Sequence, residues 1–330
     1  MNFDEDTPAR NTTRNLQIEP LETRRLLAAD LTPFDGSSNL YQIHGNNGAQ
    51  GQLSIIDVAN STFQDVGQVA GFKINATGYR VADNFIYGIK VTSDQLIRLG
   101  ADGRFEILGK IEGLPNRNYY SADFGGDGLL YIWSGKQLFG VNVDTVSVER
   151  EVTLSRKMSS TPDLAYDPVS GLMFGVERTS NRTRSFISID YQDGQVQTIN
   201  SNFEPSNGTF GAMFADATGR VFGADNRGGL YEIDKENGIA ELVGYSPRAS
   251  SNDGSSPSSA AVNLPPMMER SWVTVEEGAV DVPLELPTPV DPENELFSIT
   301  VAELPNGTVK LLDGTALSVG DQLFATDVPG

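Results

Sequence analysis

Short apolar runs separated by polar turns recur from Leu40 to Tyr245, and none approaches the roughly 20 residues that a membrane helix needs. Five of them share one shape: NLYQIHG from Asn39, NFIYGIK from Asn84, GLLYIWS from Gly128, GLMFGVE from Gly171 and GRVFGAD from Gly219. Their aromatic residues, Tyr41, Tyr87, Tyr131, Phe174 and Phe222, follow one another at spacings of 46, 44, 43 and 48. A second run comes after each, as in LIRLG ending at Gly100 or LYEID ending at Asp234, then a Gly/Asp/Asn turn and a third run such as FEILGKI or AELVGY. Alternation with β-branched and aromatic residues identifies all three as strands. A leading strand precedes four of the units, seen as GYRVAD, YYSADF, PDLAYD and GAMFAD.

Four-stranded units repeated at this period predict an all-β fold, a β-propeller, because a single small sheet buries its two faces only against neighbours arranged radially. The count favours five blades and leaves a sixth open. The first unit lacks its leading strand, and SSPSSAAVN over Ser255 to Asn263 is the candidate to supply it and close the ring. The stretch from Leu40 to about Ser258 resembles a propeller-like repeat family of unknown function in bacterial surface proteins, through GAMFADATGRVFGADNRGGLYEID and AELVGYSPRASSNDG. That resemblance implies a fold and a surface context, and no reaction.

Outside the repeat the pattern changes. At the N-terminus, IEPLETRRLLAAD carries Leu21, Glu22, Arg24, Leu26, Leu27 and Ala28 in the order of the planctomycete extracellular motif, L-E-x-R-x-L-L-A, which it resembles. The resemblance implies an extracellular or cell-surface location, although no apolar stretch of roughly 7 to 15 residues marks an ordinary signal peptide. Ser, Gly and Pro then dominate from Arg248 to Pro266, after which SWVTVEEG, VDVPLELP, LFSITVAELP, GTVKLL and TALSVGDQL alternate again. FSITVAELPNGTVKLLDGTALSVGDQL is similar to bacterial cadherin-like repeats at Leu304, Pro305, Gly307 and Val309. Such sandwiches run to about 100 residues, so the 64 residues from Met267 predict a partial Ig/cadherin-like β-sandwich. The resulting organisation is an N-terminal arm over 1–35, a propeller over 36–264 and the partial sandwich over 265–330.

Charge narrows the partners. With 44 acidic and 24 basic residues the net charge is −20, which repels nucleic acid and anionic membranes. Zero cysteines exclude disulfides and thiolate chemistry. The acids Asp83, Asp123, Asp167 and Asp216 recur after the leading strands and read as turn formers, since an Asp there hydrogen-bonds the backbone two residues on. The lone His44 has no recognisable nucleophile elbow around it. Residues placed to face the channel mouth, and candidate ligand contacts there, are Tyr79, Arg80, Tyr119, Tyr120, Asp163 and Phe210. No cofactor is called for by any motif. The resemblance to cadherin-like repeats makes calcium a candidate ion, with Glu276, Glu277, Asp281 and Asp291 as its weak ligands. The leading functional expectation is a non-enzymatic exported or cell-surface protein, with the propeller as a binding or display platform for an envelope protein or glycan and the cadherin-like unit as spacer. The alternatives are a secreted carbohydrate-active enzyme of five-bladed type and a cytoplasmic protein-interaction scaffold.

Overall fold

In the computed structural model the described residues are 31–45, 51–91, 93–206, 208–276 and 278–324. The export motif from Leu21 to Ala28 and the calcium candidate Glu277 lie outside them. Blade 1 contains β1 (Leu40–Gly45), β2 (Gln52–Asp57) and β3 (Thr62–Val66). Blade 2 follows as β4 (Ile74–Arg80), β5 (Phe85–Lys90), β6 (Gln95–Leu99) and β7 (Phe105–Lys110), and blade 3 as β8 (Ala122–Phe124), β9 (Leu130–Ser134), β10 (Gln137–Asn142) and β11 (Ser147–Thr153). Blade 4 comprises β12 (Ala165–Tyr166), β13 (Met173–Arg178), β14 (Arg184–Ile189) and β15 (Val196–Asn200); blade 5 comprises β16 (Phe210–Ala215), β17 (Val221–Asp225), β18 (Gly229–Ile233) and β19 (Ala240–Tyr245). The fourth strand of blade 1 is β20 (Ser251–Ser255), giving five four-stranded antiparallel meanders and no helix among the described residues.

Closure of the ring by the chain end is as the sequence predicts, but the closing strand lies earlier than Ser255 to Asn263. Gln42 pairs with Gly254, Ile43 with Asp253 and His44 with Asn252. SNDGS has poor intrinsic strand propensity. It is held extended because the inner edge of β1 would otherwise leave its backbone N–H and C=O groups unpaired.

Five apolar clusters fill the five seams between blades. Alternation along each strand sends adjacent residues into opposite seams. Tyr131 packs with Met173 and Ile187 between blades 3 and 4, while its neighbours Leu130 and Ile132 pack with Ile89 and Leu96 between blades 2 and 3. Each fully buried side chain of this size contributes roughly 2 to 3 kcal/mol. Exposure rises outward: β16 is buried throughout, whereas β3 and β19 are largely exposed. That gradient explains why the third run of every unit is the most polar.

After Leu264 the chain forms a two-stranded ladder of β21 (Ser298–Thr300) and β22 (Gln322–Phe324), with isolated bridges Met267 to Val290 and Lys310 to Ala316. No second sheet packs on this ladder among the described residues, so the sandwich stays a sequence expectation. The segment is tied to blade 5 through Glu293, whose carboxylate takes Arg220 Nη1 at 2.7 Å and the Leu264 N–H at 2.9 Å.

Candidate functional site

The innermost strand of every blade has one edge with no further strand beside it, turned towards the ring axis. Its N–H groups must find other acceptors. Three aspartates supply them. Asp123 in β8 accepts the N–H of Phe124 at 2.8 Å and, across to blade 4, that of Tyr166 at 2.8 Å. Asp163, just before β12, accepts Leu164 N–H at 2.8 Å, Met213 N–H of blade 5 at 2.7 Å and Gly254 N–H of blade 1 at 2.8 Å. Asp253 in β20 accepts Thr77 N–H of blade 2 at 2.6 Å. A bulge in β4, with Ala76 at φ 53°, aims that N–H at the axis. Together the three carboxyls cross-link all five blades.

Asp163 and Asp253 have no solvent exposure and act on each other's charge. Burial raises both well above the ordinary aspartate range, and for Asp163 the neighbouring Asp253 charge adds to it. Two interacting buried carboxyls do not both ionise readily, so the pair retains a proton. Asp123 is pushed up to about 7 by burial, against the two backbone N–H bonds that favour its charge. A retained proton is the raw material of acid–base catalysis, but glycoside hydrolysis keeps its carboxyls roughly 5 to 9.5 Å apart with the sugar between them. Here both carboxyls are fully buried and their oxygens serve the N–H groups of Leu164, Met213, Gly254 and Thr77, which leaves no room for a sugar between them.

Asp123 is therefore corrected from a turn former to an axial residue; the turn position of blade 3 belongs to Asp127, which accepts the Tyr131 hydroxyl at 2.7 Å just as Asp83 accepts that of Tyr87 at 2.7 Å. Asp167 and Asp216 do form turns, taking Val169 N–H at 2.8 Å and Thr218 N–H at 2.9 Å. Asp253 escapes the sequence reading because it depends on placing the closing strand at Ser251.

The six residues expected at the channel mouth are not brought together there. Tyr79 and Arg80 end β4 rather than begin it, since the bulge lengthens that strand. Tyr79 is buried against Tyr41 with ring centroids 5.8 Å apart, and Arg80 makes a two-pronged bond to Asp144 of blade 3 at 2.8 and 2.6 Å. Tyr119 is buried with its hydroxyl on Pro115 O, and Phe210 is buried against Phe203 and Tyr231. Tyr120 is exposed, and Asp163 is the axial residue already described.

His44 does meet a serine and an acid. Its Nε2 lies 2.8 Å from Ser54 Oγ and 3.3 Å from Asp65 Oδ1, while Ser54 Oγ donates to Asp65 at 2.5 Å. In a catalytic triad the acid holds the other ring nitrogen and the serine is exposed. Here His44 Nδ1 has no partner and Ser54 is fully buried, so the arrangement is a cross-strand polar cluster. Of the calcium candidates, Asp291 accepts the N–H groups of Glu293 and Glu295 at 3.0 and 2.8 Å, which fixes the turn that presents Glu293. Glu276 and Asp281 are exposed. No group of three or more such donors converges on a metal position among the described residues.

Residues 38–259 match the profile of a repeat of unknown function, DUF6923. No curated protein sequence matches the chain. Among solved structures it is similar to a catalytically inactive virginiamycin B lyase from Staphylococcus aureus, at 11% identity over 66% of this chain and 75% of that one, TM-score 0.40. TolB from Acinetobacter baumannii matches at 15% identity over 67% and 56%, TM-score 0.43, and a gluconolactonase from Xanthomonas campestris at 11% over 66% and 79%, TM-score 0.43.

Proposed function

Since the chain belongs to the DUF6923 repeat family, whose description assigns no activity, we propose its function from its own geometry: a non-enzymatic, exported or cell-surface binding and display platform. The observation that carries this reading is the axis. Asp123, Asp163 and Asp253 fasten the five blades to one another, so the acids that a channel enzyme would offer to substrate are spent on rigidity. A rigid ring presents loops and seams at fixed positions. The motif over Leu21 to Ala28 supports the envelope context, and the segment after Leu264, cadherin-like in sequence and anchored through Glu293, serves as a spacer.

The test is protease shaving of intact producing cells with immunodetection of the propeller. Loss of the signal from whole cells is the expected result; full protection with the protein in the cytosolic fraction overturns the surface role and favours the interaction scaffold. A second reading, a secreted carbohydrate-active hydrolase, draws on the raised Asp163 and Asp253 carboxyls, which retain a proton. Turnover of a polysaccharide by the native chain, lost in a folded Asp163→Asn variant, would establish it, whereas the platform reading expects no turnover across a broad panel.

A further inference from the structure

The inner strands all run the same way along the ring axis, so each blade sends its second-to-third turn, and the link into the next blade, to one face and its other two turns to the opposite face. Over blades 3 to 5 these faces differ in charge. Among the described residues the first face, built from 135–136, 154–164, 178–184, 201–209, 225–229 and 246–250, exposes Lys136, Lys157, Arg178, Arg182, Arg227 and Arg248 against one exposed acid, Glu204. The opposite turns, 125–129, 143–146, 167–172, 190–195, 216–220 and 234–239, hold eight acids and two cations, Arg220 and Lys235, each bonded to a carboxylate. Turn chemistry accounts for those acids, since Asp opens such hairpins. It asks for no cation on the first face.

On blades 4 and 5 the segments that carry these cations touch in sequence. The Arg178 N–H donates to Ser160 O at 2.8 Å, in the link that holds Lys157, and Arg178 pairs with Arg184 across the turn that holds Arg182. Arg184 Nε donates to Gly208 O at 2.9 Å; a methyl on Gly208 would stand 2.9 Å from Asp225 Oδ2, and one on Gly228 would stand 3.0 Å from Arg248 Cγ. Arg184 itself is buried, and its guanidinium meets the backbone carbonyls of Ser180, Thr183 and Gly208 and no carboxylate among the described residues. Burial and the Arg178 charge beside it both lower its hold on its proton. A cation desolvated in this way favours an anion alongside. The strip then runs into a cavity of about 580 Å³ whose walls include Arg227, Arg248, Leu242 and Tyr245. Asp225 also lines it, with Oδ1 turned to the N–H groups of Arg227 and Gly229 at 2.9 and 3.1 Å.

We infer that this face binds a carboxylated polysaccharide, laid along the strip from Lys157 to Arg248. A row of cations spread over two blades suits an extended polyanion better than a single small ion. Arginine predominates in it, and the planar guanidinium takes a carboxylate through two parallel bonds, as Arg80 takes Asp144 elsewhere in this ring. Between the arginines, Thr179, Ser180 and Asn181 are exposed and offer hydroxyl and amide groups to sugar hydroxyls. An anionic membrane would instead want apolar side chains among the cations, and 179–183 has none. The net charge of −20 does not prevent contact, because salt screens charges beyond about 8 Å.

This inference deepens the platform reading and rests on it for the choice of a polysaccharide among polyanions. The full chain is titrated calorimetrically with polygalacturonate at about 50 and 200 mM salt, beside neutral dextran, dextran sulfate, duplex DNA and anionic phospholipid vesicles. Polygalacturonate is expected to bind most tightly, and less tightly at the higher salt. The combined Lys157→Gln, Arg182→Gln and Arg248→Gln variant is expected to lose about tenfold or more in affinity and to depend less on salt, as fewer counterions are released. Arg104→Gln, on the opposite face, binds as the native chain does, and melting temperatures confirm that both variants fold. The inference is overturned if polygalacturonate does not bind, if the combined variant binds it unchanged, or if dextran sulfate, DNA or the vesicles bind more tightly. Surface exposure without polygalacturonate binding removes this site and leaves the platform standing; binding by a cytosolic protein keeps the site and removes the surface role.

Discussion

Asp123 illustrates how much one residue's position decides. In sequence it stands where three other blades have acids ahead of a turn, yet β8 directs it to the axis, where burial lifts it to about 7. The folded state therefore holds a proton that the unfolded chain, with an ordinary aspartate near 3.8, releases. Its contribution to stability is complete below about pH 4 and is lost as pH rises to about 7, by an amount on the order of a few kcal/mol. Asp163 and Asp253 extend the same trend upward. Asp144 behaves oppositely: its bond to Arg80 lowers it, so its contribution is lost as the medium becomes more acidic. Stability is thus expected to peak in mildly acidic solution, and Asp123→Asn to flatten the decline between pH 4 and 7. Urea midpoints measured across that range check this; a native midpoint that climbs steadily from pH 4 to 7 sinks it.

Among the elements, β20 departs furthest from its local sequence preference. Ser, Asn, Asp and Gly read as linker, and the apolar Ala-Ala-Val after Ser259 makes the wrong segment look like the strand. Two contacts favour the true register. Asp253 reaches Thr77, and Gly254 lies so close to blade 5 that an added methyl would stand 2.4 Å from Met213 O. Gly254→Ala is expected to destabilise the ring by about 3 kcal/mol, the scale of overpacking against immovable backbone. Equilibrium unfolding measures it, and a loss under about 0.5 kcal/mol places the closing strand elsewhere. The other leading strands were legible because each precedes a Gly turn and an aromatic run at a fixed offset, a purely local signal.

For the whole molecule, the contrast lies between the ring and the segment after Leu264. Residues 268–289 form no described ladder, and Trp272 is 89% exposed. Limited proteolysis is expected to cut first in this stretch and to leave a ring fragment that melts like the full chain; first cuts within the blades, or a large drop in melting temperature, would show that the tail holds the ring together. Strand number, blade period and the outward rise in polarity were all determined by the sequence itself, because alternation and turn chemistry act over a few residues and repeat five times. The candidate site was only partly legible. Asp163 stood out from its neighbours, but its bonds to Met213 and Gly254 join residues 50 and 91 positions apart. Tertiary structure alone decided that Tyr79, Tyr119 and Phe210 turn into seams and that Asp123 leaves the turns for the axis. Closing a ring sets the two ends of the repeat side by side, as Gln42 and Pro247 show across 205 positions, and no local pattern encodes what two such distant surfaces leave between them.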